Sequence, residues 1–215
     1  MKSFVIAIKD NKKSLEIAQR CIETAMNVSD LDVSIYYAIT PKDNIYDIIE
    51  KNSININCFD ERYSRKENAI SCFLSHFYLW KKCLDLNEKI IIFEHDAVIK
   101  TKIDTNLNFN RLLSIGKPSY GKYNIPKNIG VNKLTSKQYL PGAHAYIITP
   151  EGARELIERS KIEAKPVDVF IHMNTFPWLQ ELYPWPVVVE DTFTTVQKVE
   201  GCIAKHSYKN GFEII

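Results

Sequence analysis

Two carboxylates one residue apart, Glu94 and Asp96, directly follow the continuous apolar run Ile90-Ile91-Ile92-Phe93. Such a run reads as a central strand buried on both faces, and open α/β sheets bind ligands beyond the carboxyl ends of their strands. On an extended backbone the acid-x-acid spacing sets both carboxylates on one side, about 7 Å apart by strand rise. Their oxygens suit a hard divalent cation that also holds a diphosphate. A cation so placed would neutralise a departing nucleotide diphosphate and let a sugar–phosphate bond break. The plainer alternative is a pair of solvated acids ending a strand.

Positioning these groups falls to an alternation of strands and helices. Ser3–Ile8 and Leu31–Ala38 read as strands, Ser14–Val28 as a helix with Leu15, Ala18, Ile22 and Ala25 at helical spacing, and Asp43–Glu50 as a short helix. Ser64 and Glu67 form a capping-box pattern ahead of Ile70, Phe73, Leu74, Phe77, Trp80 and Leu84 on one helical face, with an end near Asn87. Ala143–Thr149 reads as a strand, and Thr149-Pro150-Glu151 opens a further helix with Thr149 as N-cap. Val187–Val189 reads as a last short strand, and the aromatics between Pro166 and Pro186 as packing groups. The alternation predicts an α/β fold with a mostly parallel central sheet flanked by helices.

The 215 residues suffice for one domain, and 45% apolar and 25% charged residues are ordinary for a soluble globular protein. The net charge of +2 is unevenly spread: residues 100–139 hold eight Lys or Arg against the single acid Asp104. Beside an active site that segment would favour an anionic ligand; otherwise it is a solvated loop. Five cysteines without a C-x-x-C pair, Cys21, Cys58, Cys72, Cys83 and Cys202, read as buried free thiols of a reducing compartment. No signal peptide or transmembrane segment is evident, which predicts a cytoplasmic location.

Three blocks, in order, resemble glycosyltransferase family 25, which includes bacterial lipopolysaccharide and collagen galactosyltransferases. They are Glu67–His76 followed by Trp80, then Ile91–Ala97, then Gly142–Ala153, with Pro166-Val167-Asp168 beyond. The resemblance covers about residues 64–170. It implies the nucleotide-diphospho-sugar transferase fold called GT-A over 1–215, with 100–140 as a basic loop excursion. It also implies inverting chemistry with a UDP-sugar and Mn²⁺ or Mg²⁺. The family's middle acid is His95 here, an imidazole suited to softer ions.

On this resemblance Asp96 is the expected metal ligand, with Glu94 binding the donor or helping the metal, and His206 a late ligand. Ser75 and His76 would contact the donor near the diphosphate; the alternative for His76 is a satisfied core histidine. His95 is a ligand, a supporting group or a packed residue. Inverting transfer needs a base for the acceptor hydroxyl; Asp168 is the first choice, with a helix N-cap as its alternative role, and Glu190 and Asp191 are runners-up. The expected activity is transfer of a hexose, galactose or glucose, from a UDP-sugar to a glycan such as lipopolysaccharide. Two alternatives stand beside it. The basic segment could track nucleic acid, making a hydroxylated base of DNA the acceptor. The His95 departure could mark an inactive sugar-binding homologue.

Overall fold

The computed structural model describes residues 1–59, 65–190, 193–196 and 213–214. Strand β1 (Lys2–Ala7) leads into helix α1 (Lys12–Ser29), strand β2 (Val33–Tyr37) and helix α2 (Ile45–Lys51). Helix α3 (Lys66–Leu86) precedes β3 (Ile90–Glu94), β4 (Ala97–Ile99), β5 (Leu112–Ser114), β6 (Gly130–Lys133) and β7 (Ala145–Ile148). Helices α4 (Pro150–Ile162) and α5 (Val167–Phe170), then β8 (Gln180–Tyr183) and β9 (Val187–Val189), follow.

Seven strands form one sheet in the order β2-β1-β3-β7-β5-β8-β6. β1 pairs in parallel with β2 and β3, and β5 with β8, whereas β7 is antiparallel to both neighbours and β6 is an antiparallel edge. Five of the seven strands therefore run one way, as a mostly parallel α/β sheet should. β4 and β9 form a separate antiparallel ribbon.

Alternation along β3 sorts the core into two layers. Ile90 and Ile92 pack with Phe73, Phe77 and Trp80 of α3 and Leu156 of α4, while Ile91 and Phe93 pack with Ala18, Cys21 and Ala25 of α1. Those small α1 residues recur at helical spacing and let the helix approach the sheet closely. Asn11 caps α1 by accepting from Ser14 N at 2.9 Å, and Asp30 ends it in the left-handed region. Thr149 caps α4 as expected, accepting from Gly152 N at 3.2 Å. Asn87 ends α3, also left-handed. At the start of α3 the N-cap is Arg65; Ser64 of the expected capping box lies outside the described residues, and Glu67 accepts from the Tyr46 hydroxyl at 3.2 Å.

Residues 100–140 are more than a loop. They carry β5 in the middle of the sheet and β6 at its edge. Glu181 on β8 is fully buried and ties the segment down, accepting from Thr135 N at 2.7 Å, Ser136 N at 2.8 Å and Trp185 Nε1 at 3.2 Å. Each donor is satisfied by an acceptor that would be costly to bury alone. The aromatic stretch packs as expected: Phe176 is buried against Phe170 and Trp178.

Candidate functional site

Glu94 is the last residue of β3 and, by the two-residue period, shares the face of Ile90 and Ile92. That face looks toward α3, where Cys72 and His76 sit one turn apart. His76 Nε2 lies 3.1 Å from Glu94 Oε1, and Cys72 Sγ lies 3.9 Å from the same oxygen. His76 Nδ1 is 2.8 Å from the Tyr146 hydroxyl, which accepts from Trp80 Nε1 at 2.9 Å.

The chemistry of these four groups fixes the direction of the chain. Indole N–H only donates. Burial pushes the Tyr146 phenol well up, so it keeps its proton. The phenol accepts from Trp80 and donates to His76 Nδ1. The His76 proton is then on Nε2, donating to the Glu94 carboxylate. Burial lowers the His76 pKa to about 3, so the ring is neutral. Trp80, Tyr146 and His76 are all fully buried, and together they aim one N–H at one oxygen of Glu94.

Donor atoms of Cys72, His76 and Glu94 lie within 4.8 Å of one another, close enough for one ion. An ion taking Nε2 would displace the proton that bonds Glu94 and reverse the chain back to Tyr146. The set serves better as a support for Glu94. Cys72 is kept as a neutral thiol: burial, then the charges of Glu94, Asp168 and Asp96, push it well above its ordinary range. The Cys72 thiol is half-buried and Cys58 is exposed, so the expectation that every cysteine is buried does not hold.

Asp96 does not continue the strand. His95 and Asp96 form the turn between β3 and β4, so the two acids do not line one side of an extended backbone. The turn is gripped from several directions. Arg20 of α1 donates to the Asp96 carbonyl at 3.4 Å, and Glu190 N donates to it at 3.2 Å. His95 Nδ1 is 2.9 Å from Ser14 Oγ, which accepts from Ile8 N at 3.0 Å, and its ring packs 5.1 Å from Phe193. His95 therefore fastens the turn to the start of α1, a supporting and packed residue.

Asp168 sits in the first turn of α5, with Pro166 at the capping position, so its alternative role as N-cap is not realised. Tyr120, from the basic segment, donates to Asp168 Oδ2, and Val169 N donates to Oδ1 at 3.0 Å. Burial and then the Asp168 charge raise the Tyr120 pKa, so the phenol stays a donor.

Other expected site residues are placed differently. Ser75 and His76 are fully buried and turn no polar atom to solvent; Ser75 donates to Ser71 O and accepts from Ile39 N, both at 2.9 Å. Both side chains are bonded within the fold, Ser75 to backbone and His76 to Tyr146 and Glu94. Glu190 is 2.7 Å from Lys100 and 3.6 Å from Arg20, and the Lys100 bond lowers its pKa, which makes it a poor proton acceptor. Asp191 and His206 lie outside the described residues. A cleft of about 850 Å³ opens elsewhere, at the amino end of β1, lined by Lys2, Ser3, Asp30 and Lys102 among others.

Sequence reading passed over Cys72, Tyr120 and Tyr146 as site residues. Only Cys72 left a signal, its four-residue spacing from His76. It also passed over His144, just before β7, whose two buried ring nitrogens have no hydrogen-bond partner among the described residues. A Cβ on Gly116 would stand 2.4 Å from its Nε2, so glycine there makes room for the ring. Burial lowers the His144 pKa to about 4. The unfolded chain titrates its histidines near 6.5 and so binds protons first as pH falls. Stability is expected to drop from about pH 6.5 toward the folded values of about 4 for His144 and about 3 for His76, by about 1.4 kcal/mol per pH unit for each histidine. Denaturant unfolding at several pH values checks this: His144→Phe should flatten the slope between about pH 6.5 and 4, and an unchanged slope would count against it.

A galactosyltransferase, LgtC, solved with donor and acceptor sugar analogs, superposes with a TM-score of 0.46 at 12% identity, covering 88% of this chain and 86% of that one. A "Glycosyltransferase 25 family member" of Aedes aegypti is 28% identical over 114 residues, 47% of this chain. The match spans 19% of that relative's length. Among the described residues no helix is long and apolar enough to cross a membrane. The family described as Glycosyltransferase family 25 (LPS biosynthesis protein) matches residues 1–117, a stretch that holds α3, β3 and the acidic turn, and the chain belongs to that glycosyltransferase family.

Proposed function

We propose that this glycosyltransferase moves a hexose, galactose or glucose, from a UDP-sugar to a hydroxyl of a glycan such as lipopolysaccharide, with inversion, aided by Mn²⁺ or Mg²⁺. The observation that carries the reading is the placement of Glu94 at the carboxyl end of β3, held by His76 Nε2 at 3.1 Å, with the Asp96 turn directly beyond it. The donor set fits a hard divalent cation, which takes carboxylate oxygens. Asp96 and Glu94 would hold it. Bound there, such an ion would offset the charge of the leaving diphosphate.

The chain's own groups supply the rest. His76 holds Glu94 through one oxygen and so fixes the direction of the carboxylate. Cys72 stays uncharged and adds no repulsion toward a diphosphate. Asp168 would take the proton of the acceptor hydroxyl as the new bond to the sugar forms, and Tyr120 orients that carboxylate.

The test is release of UDP from UDP-galactose and UDP-glucose with a lipopolysaccharide-type acceptor, in Mn²⁺, Mg²⁺ or chelator. Metal-dependent release is expected, with thermal stabilisation by the true donor. No release from either sugar under any of these conditions would defeat the reading.

A further inference from the structure

The basic segment contains a projection that sugar transfer does not explain. Asn124 N donates to Ser136 O at 2.9 Å and closes a loop at the sheet edge. Inside it, Asn132 Nδ2 donates to Asn128 O at 2.9 Å and Gly130 O at 2.8 Å, which tightens the tip. β6 and the buried Glu181 mount the base of the loop on β8. The loop is therefore a braced shape, and it holds two isoleucines out to solvent. Ile125 is 64% exposed and Ile129 84%, the highest value of any large apolar side chain among the described residues. Lys122, Lys127 and Lys133 around them are exposed as well. No acidic residue occurs between Asp104 and Glu151.

We propose that the loop between Asn124 and Ser136 docks the protein on the surface of a lipid bilayer carrying anionic headgroups. Isolated exposed apolar residues are common, but two exposed aliphatic side chains on one braced loop, with exposed lysines interleaved along the same stretch of chain, match a particular surface. Isoleucines gain by entering the acyl boundary, while lysines remain at the level of the phosphates. Each lysine near such a surface contributes through its negative potential. A nucleic-acid backbone would reward the lysines and gain little from the isoleucines. The loop is also coupled to the site. Lys137, just past the closing bond, lies 5.0 Å over the Tyr120 ring, and Tyr120 bonds Asp168. Docking would thus set the carboxylate of Asp168 close to the membrane surface.

Sedimentation with vesicles tests this without reference to transfer. The full chain is mixed with vesicles of phosphatidylcholine alone, or of equal parts phosphatidylcholine and phosphatidylglycerol. Binding to the anionic vesicles only, weakening as salt rises, is expected. Ile125→Ser with Ile129→Ser should lower the partition at least about tenfold, and Lys122→Gln, Lys127→Gln and Lys133→Gln about fivefold each. All are surface changes, so the thermal midpoint should hold. Absence of binding to anionic vesicles overturns the proposal. So does a double isoleucine variant that binds as well as the parent. A chain that binds duplex DNA through the lysines, with vesicle binding indifferent to the isoleucines, would have a nucleic-acid surface there instead.

Discussion

Asp96→Asn is expected to lower sugar transfer by about 10³-fold in kcat/KM, about 4 kcal/mol of transition-state stabilisation, while the folded state is little changed. The side chain keeps its shape and loses only its charge. The turn keeps anchors on the Asp96 backbone whatever the side-chain charge: Arg20 and Glu190 N both donate to the carbonyl. His95 adds a side-chain anchor to Ser14. Thermal unfolding should therefore report a near-native midpoint. Titration of Mn²⁺ against the variant separates two causes. A loss that high Mn²⁺ partly restores means that Asp96 holds the ion; full activity in the variant would remove Asp96 from the site. His95→Asn is a useful companion, since it loosens the turn from α1 without changing the number of carboxylates.

The legible parts of this chain are those where one residue pattern had one physical solution. The Ile90–Phe93 run could only be buried on both faces, and it became the strand between β1 and β7. Thr149-Pro150 had the chemistry of a helix start and is one. The acid-x-acid step was legible as composition but not as geometry, because nothing in Glu94-His95-Asp96 marks the turn that replaces extended backbone. β5 escaped notice since three strand residues inside a Lys- and Gly-rich stretch give no period to read. The support of Glu94 was hidden for another reason. Tyr146 lies 70 residues from His76 and 66 from Trp80, and each of the three reads as a core residue until the fold brings their polar atoms together. Cys72 was hidden by its helix: the apolar face that half-buries it is the face turned to Glu94.

The second large effect concerns proton transfer. Asp168→Asn is expected to reduce kcat by about 10² to 10⁴-fold, with the donor's binding nearly kept, because an amide cannot take the acceptor's proton. Tyr120 can still donate to the amide oxygen, so the local structure should survive. Glu190→Gln should cost far less. Its carboxylate is already occupied by Lys100 and Arg20, and the Lys100 bond in particular lowers its pKa, which makes it a weak base. Tyr120→Phe should fall between the two, since it frees Asp168 to rotate but leaves it a carboxylate. The pH profile separates orientation from proton transfer: in Tyr120→Phe the acid limb should persist at lower amplitude, and in Asp168→Asn it should vanish. If Asp168→Asn kept the parental profile, the base would have to be sought elsewhere. Glu190→Gln losing as much as Asp168→Asn would reverse the assignment between them.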